Sequence, residues 1–125
     1  MNLRRIFSPS LIAIIALWFS PASSEGAKIR VVATIPDLKA LIEAVGGDLV
    51  EVESLARGDQ NAHDVEVRPS LMLRLRRADL VVVNGLGLDF WADPLIMGAH
   101  NPKILSGAAG HVDASRGVSV LVWCP

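Results

Sequence analysis

The side chains that could hold a metal or move a proton are few: three histidines, 13 carboxylates and one cysteine in 125 residues. Cys124 stands alone, which excludes an intramolecular disulfide and every zinc motif built on paired cysteines. His63 has the most suggestive surroundings. It lies in Arg57-Gly-Asp-Gln-Asn-Ala-His-Asp-Val-Glu-Val-Arg-Pro-Ser70, a polar stretch that also carries Asp59, Asp64 and Glu66. A neutral imidazole is a good donor to zinc or a similar ion. A solvated loop histidine is the alternative, and the residue types alone leave both open. His100 and His111 follow at spacings of 37 and 11 residues, which specify no ligand set. Zinc takes four ligands, or three and a water, so these residues offer one candidate donor and no complete shell.

Other chemistry is poorly supported. Gly85-x-Gly87 follows an apolar run, but Phe90 stands where a dinucleotide loop needs a third glycine. Arg57-Gly58-Asp59 is best read as a turn. There is no Gly-x-Ser-x-Gly, P-loop or His-Glu-x-x-His, and nothing sets Ser115 against His111 as nucleophile and base. The residues therefore point away from an enzyme.

The elements around His63 decide whether its position matters. Val50 to Leu55 alternates as an edge strand does and leads into the loop, while Pro69 opens a helix after it. That order puts His63 at the carboxyl end of a strand, where open α/β sheets bind ligands. Upstream, Ile29–Ala33 reads as the first strand. Thr34 and Pro36 start a helix whose apolar face is Leu38, Leu41, Ile42 and Val45, and Gly46-Gly47 ends it. Downstream, Leu71, Met72, Leu75 and Ala78 form one apolar face, with Arg74, Arg76 and Arg77 solvated. Leu80-Val-Val-Val-Asn84 has the continuous apolar character of a central parallel strand. Asp89 or Asp93 caps a third helix that buries Trp91, Leu95 and Ile96, with His100 at its end and Asn101-Pro102 breaking it. Lys103–Leu105 and Val118–Val122 are candidate strands, and Ser106–Gly117 reads as a glycine-rich loop holding His111. The alternation predicts an α/β fold, a parallel sheet of about four strands flanked by helices.

Met1–Ser24 has the form of an export signal. Arg4 and Arg5 precede a nine-residue apolar run, Leu11–Phe19, and small residues allow cleavage before Glu25. Nine residues are too few for a membrane core that needs about 20. No cysteine follows the run to take a lipid, so a soluble periplasmic product is expected, with 25–125 as one domain. The chain carries −1, or −3 once Arg4 and Arg5 are removed, and no basic face suits a nucleic acid. With no tyrosine and 5% aromatics, a carbohydrate platform is unsupported.

Five stretches in order resemble the solute-binding proteins of zinc and manganese ABC importers, two-lobed periplasmic proteins with a rigid helix between the lobes. They are Val31-Val-Ala-Thr-Ile-Pro36, Val45-Gly-Gly-Asp-Leu-Val-Glu-Val52, Gly58–Ser70 around His63, Ala78-Asp-Leu-Val-Val-Val-Asn-Gly85 and Gly87-Leu-Asp-Phe-Trp91. The resemblance runs from Lys28 to about Val122 and implies the N-terminal lobe of such a protein. It implies capture of Zn²⁺, or Mn²⁺, for delivery to an ABC permease, without catalysis. Only His63 carries over as a ligand. Ala62 departs from the proline common before that histidine. The family's other ligands, a later histidine of the first lobe and two residues of the second, fall beyond this chain. The ending Val122-Trp-Cys-Pro125 does not resemble the family's continuation, so the expectation is a truncated lobe that binds metal weakly. A remnant without tight metal binding, or an interaction-only domain, is the alternative.

Overall fold

The structure is a computed structural model that describes residues 26–121. The leader expected at Met1–Ser24 lies outside the described residues. Four short strands, β1 (Ile29–Ala33), β2 (Val50–Ser54), β3 (Leu80–Val83) and β4 (His111–Asp113), form one sheet in the order β2-β1-β3-β4 with every pair parallel. Helices α1 (Pro36–Gly46), α2 (Pro69–Arg76) and α3 (Ala92–Gly98) make the crossovers. The right-handed crossover rule puts α1 on one face and α2 and α3 on the other. Accordingly α1 packs on β1 and β2, while α2 and α3 pack on each other.

The sequence explains most of this. β1 and β3 are central, and their Val31, Val32, Ala33, Val81, Val82 and Val83 are all buried. β2 is the edge strand its alternation predicts: Val52 is buried between exposed Glu51 and Glu53. Pro36 and Pro69 open α1 and α2, their missing N–H groups costing nothing in a first turn. Gly47 ends α1 at φ 50, a conformation that favours glycine.

Several expectations need correction. Leu41 and Val45 do not join the buried face of α1. They are 64% and 91% exposed, and only Leu38 and Ile42 reach the core. One helix covers this side of a four-stranded sheet, so the outer half of its apolar stripe has nothing among the described residues to pack on. Thr34 does not cap α1, whose N-cap is Ile35 without a side-chain bond. Neither Asp89 nor Asp93 caps α3, whose N-cap is Trp91. Lys103–Leu105 forms turns, and 118–121 is not a strand. The fourth strand is instead His111–Asp113, inside the expected loop. Its three residues have little strand character of their own. They are extended because β3 offers a free edge, a case of tertiary context deciding strand formation. Gly110 makes the approach possible: a Cβ there would lie 2.5 Å from the Lys103 carbonyl oxygen and 2.6 Å from that of Asp79.

Asp79 ties the amino ends of the strands together. Its carboxylate accepts from Lys103 Nζ at 2.9 Å and from the Arg30 backbone N–H at 3.2 Å, with Arg30 Nε at 3.5 Å. The Lys103 hydrogen bond first, and the Arg30 N–H second, hold this carboxyl below its usual range. A carboxyl depressed in the folded state contributes stability fully above the unfolded value of about 3.9 and loses it as pH falls through the folded value. Asp79→Asn should therefore lower the urea midpoint at pH 7, and the gap to wild type should close below about pH 4. A gap that stays constant with pH would refute this linkage.

Candidate functional site

The carboxyl edge of the sheet is where the chain gathers its polar loops. β1 runs out at Thr34, β2 at Leu55 and Ala56, β3 at Asn84 and Gly85, and β4 at Ala114 and Ser115. The ladder continues past the strands: Leu55 and Ala56 donate to the carbonyls of Ala33 and Thr34, and Thr34 donates to that of Val82. The order β2-β1-β3-β4 reverses direction between β1 and β3, the switch point at which such sheets form a ligand crevice.

Asp89 occupies that crevice. It is buried, and its carboxylate accepts from Thr34 Oγ1 at 2.5 Å, the Asn84 N–H at 2.5 Å and the Gly85 N–H at 3.1 Å. It thus laces the ends of β1 and β3 together. Gly85, at φ 79, lies so close to β4's end that a Cβ would fall 2.2 Å from Asp113 Oδ1 and 2.4 Å from Ser115 Oγ. Asp113 accepts from the Ser115 hydroxyl at 2.7 Å and its N–H at 2.8 Å, which hold its carboxyl below the usual range. Of the Gly85-x-Gly87 pair, Gly85 belongs to this packing, while a Cβ at Gly87 would meet nothing within 4 Å.

His63 lies on the same edge, in the loop between β2 and α2, as the order of elements predicts. Its side chain is exposed. Among the described residues its imidazole makes no hydrogen bond or ion pair, so both ring nitrogens are open to a ligand. The backbone around it is firmly held. The His63 N–H donates to Asn61 Oδ1 at 3.0 Å, and the Ala62 carbonyl accepts from Trp91 Nε1 at 2.7 Å. Arg57 N–H donates to Gln60 Oε1 at 2.9 Å, and Asp64 N–H to the Asn61 carbonyl at 3.0 Å. Arg57-Gly58-Asp59 is a turn, closed by an Arg57–Asp59 ion pair at 3.2 Å.

The other candidates are not brought to His63. Asp59 and Glu66 are taken up by Arg57 and Arg68. His100 sits just past α3 at φ 52, with Nδ1 2.8 Å from the Gly98 carbonyl oxygen. His111 is on β4, with Nδ1 3.0 Å from the Ile104 carbonyl oxygen. No group of three or more His, Cys, Asp or Glu side chains able to hold a metal occurs among the described residues. A cleft of about 190 Å³ beside the loop is lined by Arg57, Arg68 and Arg74 with one carboxylate, Glu66, which is itself paired with Arg68. Two residues of the site were not anticipated in their roles: Asp89 as a lace and Trp91 as a donor. The available signal was that a buried indole N–H needs a partner.

Comparison with known proteins gives one consistent result. The family model described as ZnuA, the periplasmic component A of a zinc-uptake complex, matches residues 31–121. The iron-binding protein YfeA of Yersinia pestis is 30% identical over 82 residues, 66% of this chain and 26% of that protein. The high-affinity zinc uptake system protein ZnuA of Paracoccus denitrificans is 32% identical over 84 residues, 67% of this chain and 26% of that protein. Among solved structures, the solute-binding protein FpvC of Pseudomonas aeruginosa in complex with Ni²⁺ superposes with a TM-score of 0.66 at 27% identity, over 77% of this chain and 34% of that one. The chain thus spans about a quarter of the length of the curated relatives it matches.

Proposed function

The chain belongs to the family of the periplasmic zinc-uptake component A, and from that premise we propose that it captures a divalent metal ion outside the inner membrane for delivery to an ABC permease. Zn²⁺ is the proposed cargo, with Mn²⁺ as the second reading. His63 is the proposed donor, and the observation that carries it is an unengaged imidazole on a fixed backbone at the carboxyl edge of the sheet. The relatives named for iron and zinc, and the neighbour bound to Ni²⁺, support a divalent cation without selecting one. An imidazole favours a borderline ion such as zinc, whereas added carboxylates would favour manganese. Binding rather than catalysis is the proposed role, in keeping with relatives named as uptake and metal-binding components.

One donor does not make a tight site. Zinc needs about three more ligands, or two and a water, and no group of three or more His, Cys, Asp or Glu side chains surrounds His63 among the described residues. No helix among the described residues is long and apolar enough to cross a membrane. Met1–Ser24 is proposed as the export leader and 25–125 as the exported domain.

One preparation of the exported chain tests these points. Its intact mass should match cleavage before Glu25, and retention of Met1 would overturn the leader. In Zn²⁺ and Mn²⁺ titrations, His63→Ala should weaken binding about tenfold or more, each tenfold being about 1.4 kcal/mol. His100→Ala should change little. Equal affinities for folded wild type and His63→Ala would remove His63 as the donor.

A further inference from the structure

We propose that Trp91 is a positioning residue for His63: its indole N–H fixes the peptide unit from which the histidine side chain is presented to a divalent cation. The inference rests on His63 being a metal donor, but part of its test needs no metal. The Ala62 carbonyl and the His63 N–H are the two polar ends of one planar peptide unit. The carbonyl end is held by Trp91 Nε1 at 2.7 Å and the N–H end by Asn61 Oδ1 at 3.0 Å. With both ends held the plane cannot turn, and the bond from the Asp64 N–H to the Asn61 carbonyl at 3.0 Å restricts the remaining rotation about the His63 N–Cα bond, which directs Cβ. The two side-chain torsions of the imidazole are then its main freedom.

The post is rigid. Trp91 is 5% exposed, stands at the start of α3, and is followed by Ala92 and Leu95, both at 0%. Two residues earlier, Asp89 anchors the same segment to the ends of β1 and β3. A continuous path therefore runs from the centre of the sheet through Asp89 and Trp91 to the Ala62 carbonyl. From Arg57 to Asp64, the other hydrogen bonds of the loop are local turns of its own. Ala62 also leaves its φ free, so the backbone before His63 depends on an outside contact for its direction. Supporting groups of this kind commonly change metal affinity about 10- to 100-fold when removed.

Trp91→Phe keeps an aromatic ring in the core and removes the donor. Amide exchange is read first, without metal. Protection at His63 and Asp64 should fall about tenfold relative to the core amides of Val81 and Leu95. In Zn²⁺ titration the dissociation constant should rise about tenfold. In wild type the Trp91 indole N–H resonance should shift on adding Zn²⁺, and it should not shift in His63→Ala. Loop amides that change only in proportion to the core would make Trp91 a packing residue and overturn the proposal. So would a loosened loop with unchanged affinity. If instead His63→Ala binds Zn²⁺ like wild type, the donor reading fails, and the presentation of a donor fails with it.

Discussion

Asp89→Ala is expected to destabilise the protein by about 3 kcal/mol, which for a domain near 100 residues lowers Tm by on the order of 15 °C. The substitution removes the acceptor of three donors at the centre of the sheet edge: the hydroxyl of Thr34, itself 0% exposed, and the N–H groups of Asn84 and Gly85. A hydrogen bond to a charged acceptor is worth about 1.5–3 kcal/mol, and a buried donor left without a partner costs about 1–3 kcal/mol. The three terms are not additive, since water can enter a gap at the edge and serve some of the donors. Asp89→Asn makes a sharper comparison. Oδ2 takes two of the three bonds and Oδ1 the third, so an amide can keep the oxygen on the paired side only by turning its NH₂ against the Gly85 N–H. The expected order of urea midpoints is wild type, then Asn, then Ala. If both variants stay within about 1 kcal/mol of wild type, the carboxylate is not what joins β1 to β3.

Asp89 also shows where the sequence was legible and where it was not. Strands β1, β2 and β3 could be read because their patterns are local: continuous apolar runs for central positions, alternation for an edge. The prolines at 36 and 69 marked helix starts for an equally local reason. The place of His63 followed from the order of elements alone. An aspartate shortly before a helix reads as a cap, yet its partners lie at Thr34 and at the end of β3, and its distance of 55 residues from Thr34 leaves no trace in a local pattern. The same holds for Trp91, whose burial was expected but whose donor role depends on a carbonyl 29 residues away. β4 could not be read because it is a strand through its neighbour and not through its composition. The exposed Leu41 and Val45 mark a different limit. Their spacing is that of a buried helix face, but spacing says which side is apolar and not whether anything lies against it.

Leu75→Ala and Leu73→Ala test that distinction between pattern and packing within a single helix. Both residues lie on α2, two positions apart, so they point to different sides. Leu75 is 0% exposed and Leu73 is 58% exposed. Removing the Leu75 side chain leaves a void between α2, α3 and the sheet, and large-to-small changes at such sites cost about 2–5 kcal/mol because the surroundings relax only in part. Relaxation is restricted here by the end of the helix. The carbonyls of Leu75 and Ala78 both accept from Asn101 Nδ2, at 2.9 and 2.8 Å, and Asn101 is itself buried. That pair of bonds holds α2 at a fixed distance from the segment after α3, so the helix cannot settle inward to fill the space. The expected loss therefore lies toward the upper part of the range, near 4 kcal/mol. Leu73→Ala removes little buried surface and introduces a better helix former, so it should fall within about 0.5 kcal/mol of wild type. Chemical denaturation of both variants with a common slope decides the matter. Similar losses for the two would mean that α2 does not present Leu75 to the core, and the packing of α2 on α3 would have to be redrawn.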